Sequence, residues 1–186
     1  MTNSIVRPRL TLDAFLALPE TKPPAEFVVG EIWQKPMPQG EHSCLQVELC
    51  KVLNQAGQPG RVFYAFPELR CSFGGRSLIP DVSVFRWGRI PRTEAGRVAH
   101  RFLIRPDWAI EILSPGQSQT KALDNLLHCS EQGTELGWLL DPEEETILVV
   151  DRSQRLRIFR GDAIVPPLPE LTLNLVVADV FGWLVL

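Results

Sequence analysis

A chain of 186 residues is long enough for one domain with a sizeable core. Its hydrophobic fraction of 45% and charged fraction of 22% are those of a folded globular protein, which argues against wholesale disorder. A formal net charge of −3 does not mark a nucleic-acid binder, although local charge distribution matters more than the total.

No run approaches the ~20 apolar residues that cross a membrane. The first ten residues lack the apolar core and cleavage site of a secretory signal, so a cytoplasmic protein is the expectation. Cys44, Cys50, Cys71 and Cys129 show no CxxC or Cys/His spacing and read as small hydrophobes rather than as a zinc or disulfide framework.

In chain order, residues 1–10 read as a flexible arm on a single domain spanning 1–186. Thr11 can cap a short helix carrying Leu12, Phe15, Leu16 and Leu18 on one stripe. Residues 26–33 alternate around Gly30 and predict a hairpin, followed by a Pro-rich loop through Gly40. Leu45, Leu49, Val52, Leu53 and Ala56 recur at helical spacing over 41–56. Strands are expected at 61–66, 68–73 and 81–85, with Gly74-Gly75 turning between the last two. Residues 86–106 form a ragged connector with Arg86, Arg89, Arg92, Arg97, Arg101 and Arg105 against Glu94 alone. A strand at 108–113 then leads through Ser114-Pro115-Gly116 into a helix over 119–132. Strands follow at 136–140, 146–150 and 155–159, then a short helix around 176–183. A central mixed β-sheet flanked by helices would bury both main amphipathic stripes, giving an α/β fold.

Asp81 and Glu111 each sit in an otherwise apolar strand. Because residues two apart share a strand face, neighbouring strands could project both carboxylates from one side at one level. A carboxylate is expensive to bury unless paired or bound to a cation, so the pair suits Mg²⁺ or Mn²⁺. The competing reading makes Asp81 a turn residue and leaves Glu111 at a solvated edge.

The stretches Glu26-Phe-Val-Val-Gly-Glu31, Ile79-Pro-Asp-Val-Ser83, Glu111-Ile-Leu-Ser-Pro115 and Gly137-Trp-Leu-Leu-Asp-Pro142, with His42 on the first main helix, occur in an order that resembles the Uma2-type proteins. This family, DUF820, is abundant in cyanobacteria and carries a restriction-endonuclease-like PD-(D/E)xK fold. The resemblance implies a metal-dependent DNA endonuclease with Asp81 and Glu111 as metal ligands, the Ile112 carbonyl as a further ligand, and Glu26 binding metal directly or through water. It also implies a lysine near the pair, and here the chain departs from the pattern. Leu113 stands two after Glu111, and Asn125 and Cys129 stand where the family often has Lys and Tyr.

Lys121, one turn before Asn125, becomes the candidate base, with a solvated helix-start lysine as the bland alternative. His42 is either a phosphate or proton-transfer contact or a hydrogen-bonded helix-start histidine. The Arg-rich connector is either a phosphate-backbone contact or a solvated loop. Beside the endonuclease reading stand two others: a nucleic-acid-binding or regulatory protein on a weakened nuclease scaffold, and an interaction domain. DNA is the expected partner. A homodimer is expected by analogy with nucleases that cut both strands.

Overall fold

The computed structural model describes residues 10–186, so the arm expected over 1–10 lies, except for Leu10, outside the described residues. The elements run α1 (Leu12–Leu16), β1 (Ala25–Val28), β2 (Glu31–Gln34), α2 (Gly40–Gly57), β3 (Phe63–Pro67), β4 (Cys71–Phe73), β5 (Arg76–Leu78) and β6 (Val82–Arg86). After the connector come β7 (Trp108–Ile112), α3 (Gln119–Glu131), β8 (Leu136–Asp141), β9 (Thr146–Asp151), β10 (Leu156–Arg160), β11 (Ile164–Val165), β12 (Leu175–Val176) and α4 (Val177–Gly182).

The main sheet has six strands in the order β10-β9-β8-β7-β6-β3. Only β7 and β8 pair in parallel, so the sheet is mixed, and α3 makes the crossover between them. Helices cover both faces, as the amphipathic stripes predict. Leu45, Leu49 and Leu53 of α2 pack with Val82, Val84, Trp108, Ile110 and Trp138 on one face. Ala122, Leu126 and Cys129 of α3 pack with Ala109, Leu139 and Val150 on the other. The strand alternation that sorts these two sets also sends Asp81 and Glu111 to the α3 side. No described helix is long and apolar enough to cross a membrane. All four cysteines are free, and Cys71 and Cys129 are buried.

The sequence expectation differs from the structure in one arrangement. Gly74-Gly75 turns β4 into an additional strand, β5, rather than into the Asp81 strand. That strand pairs with β1, making a second, four-stranded sheet ordered β2-β1-β5-β4. Three-residue strands give too little alternation to be read from a sequence. The β1–β2 hairpin turns on Val29-Gly30, with φ of 50° and 86°, the two-residue geometry that follows strand twist.

Gly57, the last residue of α2, is a close contact between layers. A β-carbon there would stand 2.8 Å from the Phe63 carbonyl oxygen and 3.1 Å from Phe63 Cβ. Alanine is the better helix former by about 1 kcal/mol, yet the steric conflict with backbone should prevail. Gly57→Ala is expected to destabilise the fold by about 1–3 kcal/mol in urea denaturation. An equally or more stable variant would show that the end of α2 does not press on β3.

Candidate active site

The register between β6 and β7 sets Val82 opposite Ile110 and Ser83 opposite Ala109; one step further sets Asp81 opposite Glu111. Both carboxylates are buried, with relative exposures of 1% and 3%, which removes the turn-residue and solvated-edge alternative. Glu26 of β1 is buried beside them.

The cation that meets these carboxylates is Lys35, just past β2. Its Nζ stands 2.7 Å from Asp81 Oδ1 and 3.5 Å from Glu111 Oε2, and it donates to the Ile79 carbonyl at 2.6 Å. Lys121 makes no ion pair with these carboxylates among the described residues. It is exposed, with its ammonium over the Trp33 ring at 4.8 Å from the centroid. The place expected of Lys121 is thus taken by a residue in the Pro-rich segment, where periodicity gives no signal. The chain has only four lysines, Lys22, Lys35, Lys51 and Lys121, so the need of buried carboxylates for a cation was a usable clue.

The remaining oxygens are mostly engaged. Asp81 Oδ2 accepts the Ile112 N–H at 2.7 Å and lies 3.1 Å from His42 Nε2. Ile112 therefore enters the site through its N–H. Gln46 donates to the Asp81 carbonyl at 2.8 Å, tying α2 to the start of β6. Glu26 Oε1 accepts the Ile79 N–H at 2.7 Å, and its Oε2 accepts Asn125 Nδ2 at 3.0 Å. Asn125 is thus a neutral donor to Glu26. Glu111 Oε1 is buried without a partner.

Electrostatics divides the carboxyls. Burial pushes Asp81 upward, but Lys35 and His42 outweigh it and hold the group down at about 2. Burial raises Glu26, with Lys35 only partly offsetting it. Burial raises Glu111 well above the usual carboxylate range; Lys35 opposes the shift, and the neighbouring acids Asp81 and Glu26 add to it. Lys35 loses stability as a cation through burial, yet the surrounding acids more than restore it and keep it protonated. Lys35 holds Asp81 in its charged form, while burial shifts the two flanking carboxyls upward.

This donor set does not fit a divalent ion as arranged. Both oxygens of Asp81 and Glu26 have partners, Lys35 already supplies the positive charge, and only Glu111 Oε1 is open. Among the described residues no group of three or more His, Cys, Asp or Glu is placed to hold a metal.

The Arg-rich connector is partly structural. Asp107, 1% exposed, pairs with Arg86 at 2.8 Å and Arg89 at 2.5 Å, with Arg105 at 3.9 Å. Arg86 also binds Glu135 and Glu170, and Arg92 stacks over Trp87. Arg97 and Arg101 are exposed and make no ion pair among the described residues. His128 of α3 stacks on Phe73 in the second sheet.

An α/β fold with opposed acidic residues on adjacent central strands defines a nuclease-type scaffold. The chain belongs to the Uma2 family, whose model, described as "Putative restriction endonuclease", matches residues 12–178. It is similar to a crystal structure of "a putative nuclease belonging to DUF820" from Anabaena variabilis ATCC 29413, with 52% identity and a TM-score of 0.93, covering 95% of this chain and 99% of that one. No curated protein matches.

Removing Lys35 should leave Asp81 buried without its cation. Lys35→Met is expected to destabilise the protein by about 3–5 kcal/mol at neutral pH. The pH dependence fixes the cause. In the wild type Asp81 lies below its ordinary value of 3.8, so its contribution is complete above that value and is lost as pH falls towards 2. Glu26 and Glu111 have the opposite sign: their raised values favour the fold at low pH, and that contribution is lost as pH rises. Without Lys35, Asp81 joins this second group. The deficit of the variant should therefore shrink on going from about pH 7 to about pH 5 in denaturant titrations. A deficit independent of pH would contradict the pairing.

Proposed function

We propose that this protein handles nucleic acid on a nuclease scaffold whose carboxylate site is closed by its own lysine, with phosphodiester hydrolysis weak or absent. The observation that carries this reading is the Lys35 ammonium between Asp81 and Glu111. The family's description and the description of the Anabaena structure supply the association with nucleic acid. The exposed Arg97 and Arg101, without an ion pair among the described residues, are connector side chains available for phosphate contact.

A second reading, a Mg²⁺- or Mn²⁺-dependent DNA endonuclease, is favoured by two features of the same site. Glu111 Oε1 is left without a partner, and Lys35 provides the positive group that Leu113 does not. A divalent ion bound there would supply an acidified water and neutralise charge on the phosphate. On this reading Asp81, Glu111, the Ile112 carbonyl and Glu26 would be its ligands, Lys35 or the more distant Lys121 the basic group, and His42 a phosphate contact. A homodimer would be expected for cutting both strands.

The two readings separate in one assay. Supercoiled plasmid and single-stranded DNA are incubated with wild type and Asp81→Ala in Mg²⁺ or Mn²⁺, while gel mobility reports binding. The closed-site reading expects binding with no nicking that depends on Asp81. Nicking by wild type that disappears in Asp81→Ala would establish the endonuclease instead. Absence of DNA binding would overturn both.

A further inference from the structure

A cavity of about 810 Å³ opens beside the carboxylate site, between the start of α2, the loop from β7 to α3, and the turn from β8 to β9. Leu113, Pro115 and Pro142 give it apolar lining, and Glu41, Asp141 and Glu143 give it carboxylates. Among the described residues no lysine or arginine lines it. Two further lining residues, His42 and Ser114, are more than nine-tenths buried, and His42 Nδ1 and Ser114 Oγ have no hydrogen-bond partner.

This chemistry selects against a phosphate. Three carboxylates without a cation would repel one, and the positive end of α2 already carries Glu41 in its first turn. A small hydrated cation would leave the apolar walls uncovered, and Asp141 Oδ1 is engaged by the backbone N–H groups of Glu143 and Glu144 at 3.1 and 3.2 Å. A flat, neutral heterocycle with N–H groups on its edge satisfies both kinds of wall. Its faces lie against proline and leucine, and its amino group donates to a carboxylate.

We infer that this cavity receives an unpaired nucleobase bearing an exocyclic amino group. The inference rests on the nucleic-acid reading above and names the form of substrate: a single strand, or a base turned out of a duplex. His42 belongs both to the cavity wall and to the contact with Asp81, so a base seated here brings its adjoining phosphodiester to the carboxylate site.

The test compares fluorescein-labelled oligodeoxycytidine and oligodeoxyuridine of equal length by fluorescence anisotropy, in EDTA and at fixed salt. The two bases share a ring and differ at the C4 substituent, an amine in one and a carbonyl in the other. Wild type is expected to bind the cytidine tract about tenfold more tightly. In the double variant Glu41→Gln/Asp141→Asn, whose amides can donate to the uracil carbonyl as well as accept from the cytosine amine, this ratio should fall to near unity, whatever happens to overall affinity from the loss of negative charge. Asn retains the Oδ1 acceptor for the turn amides, so the local fold is preserved. Equal affinity of wild type for both tracts, or a preference unchanged in the double variant, would overturn the inference. Failure of both tracts to bind would also overturn it. If plasmid DNA is still retarded in that case, the nucleic-acid reading stands; if not, both fall.

Discussion

Three carboxyl groups buried around a single ammonium are the constraint on which the rest of this structure depends. Taking any one of these acids out of water is unfavourable unless its charge is met, and among the described residues only Lys35 lies within ion-pair distance of both Asp81 and Glu111. The solution is unequal. Asp81, in direct contact with Lys35 and with the Ile112 N–H, keeps its charge. Glu111 and Glu26 are pushed towards their neutral forms. The result is a cluster in which Lys35 already supplies the positive charge that meets Asp81.

The architecture makes sense as the means of assembling that cluster. The main sheet delivers Asp81 and Glu111 on neighbouring strands, and the second sheet delivers Glu26 and Lys35 on a single hairpin. Helix α2 contributes His42 and Gln46, and α3 contributes Asn125. Each layer is therefore fastened to the others through polar contacts to the cluster as well as through its apolar face. The same division of labour explains the connector: its arginines hold the buried Asp107, so much of its positive charge is internal to the fold rather than offered to a partner.

Much of this was legible in the sequence because it follows from periodicity. The stripe Leu45, Leu49, Leu53 specified α2, and alternation in the two central strands put Asp81 and Glu111 on one face at one level. Lys35 was not legible in that way. It follows a short strand inside a proline-flanked segment, and its position depends on a second sheet assembled through the three-residue strand β5, pairings that are non-local. Lys121 seemed suited because helical spacing placed it near Asn125, but helix position fixes only where a side chain starts. Its ammonium reaches over Trp33 instead. The role of Asn125 was also hidden, since a neutral donor to Glu26 leaves no pattern in the chain.

The central claim is that Lys35 occupies, as an internal counter-ion, the electrostatic place a divalent ion would need. Calorimetric titration of Mn²⁺ into wild type and Lys35→Met tests it most directly. The account predicts weak or undetectable binding to wild type and distinctly tighter binding to the variant, lost again when Asp81 is also replaced by Ala. Tight binding to wild type that is abolished by Lys35→Met would contradict it.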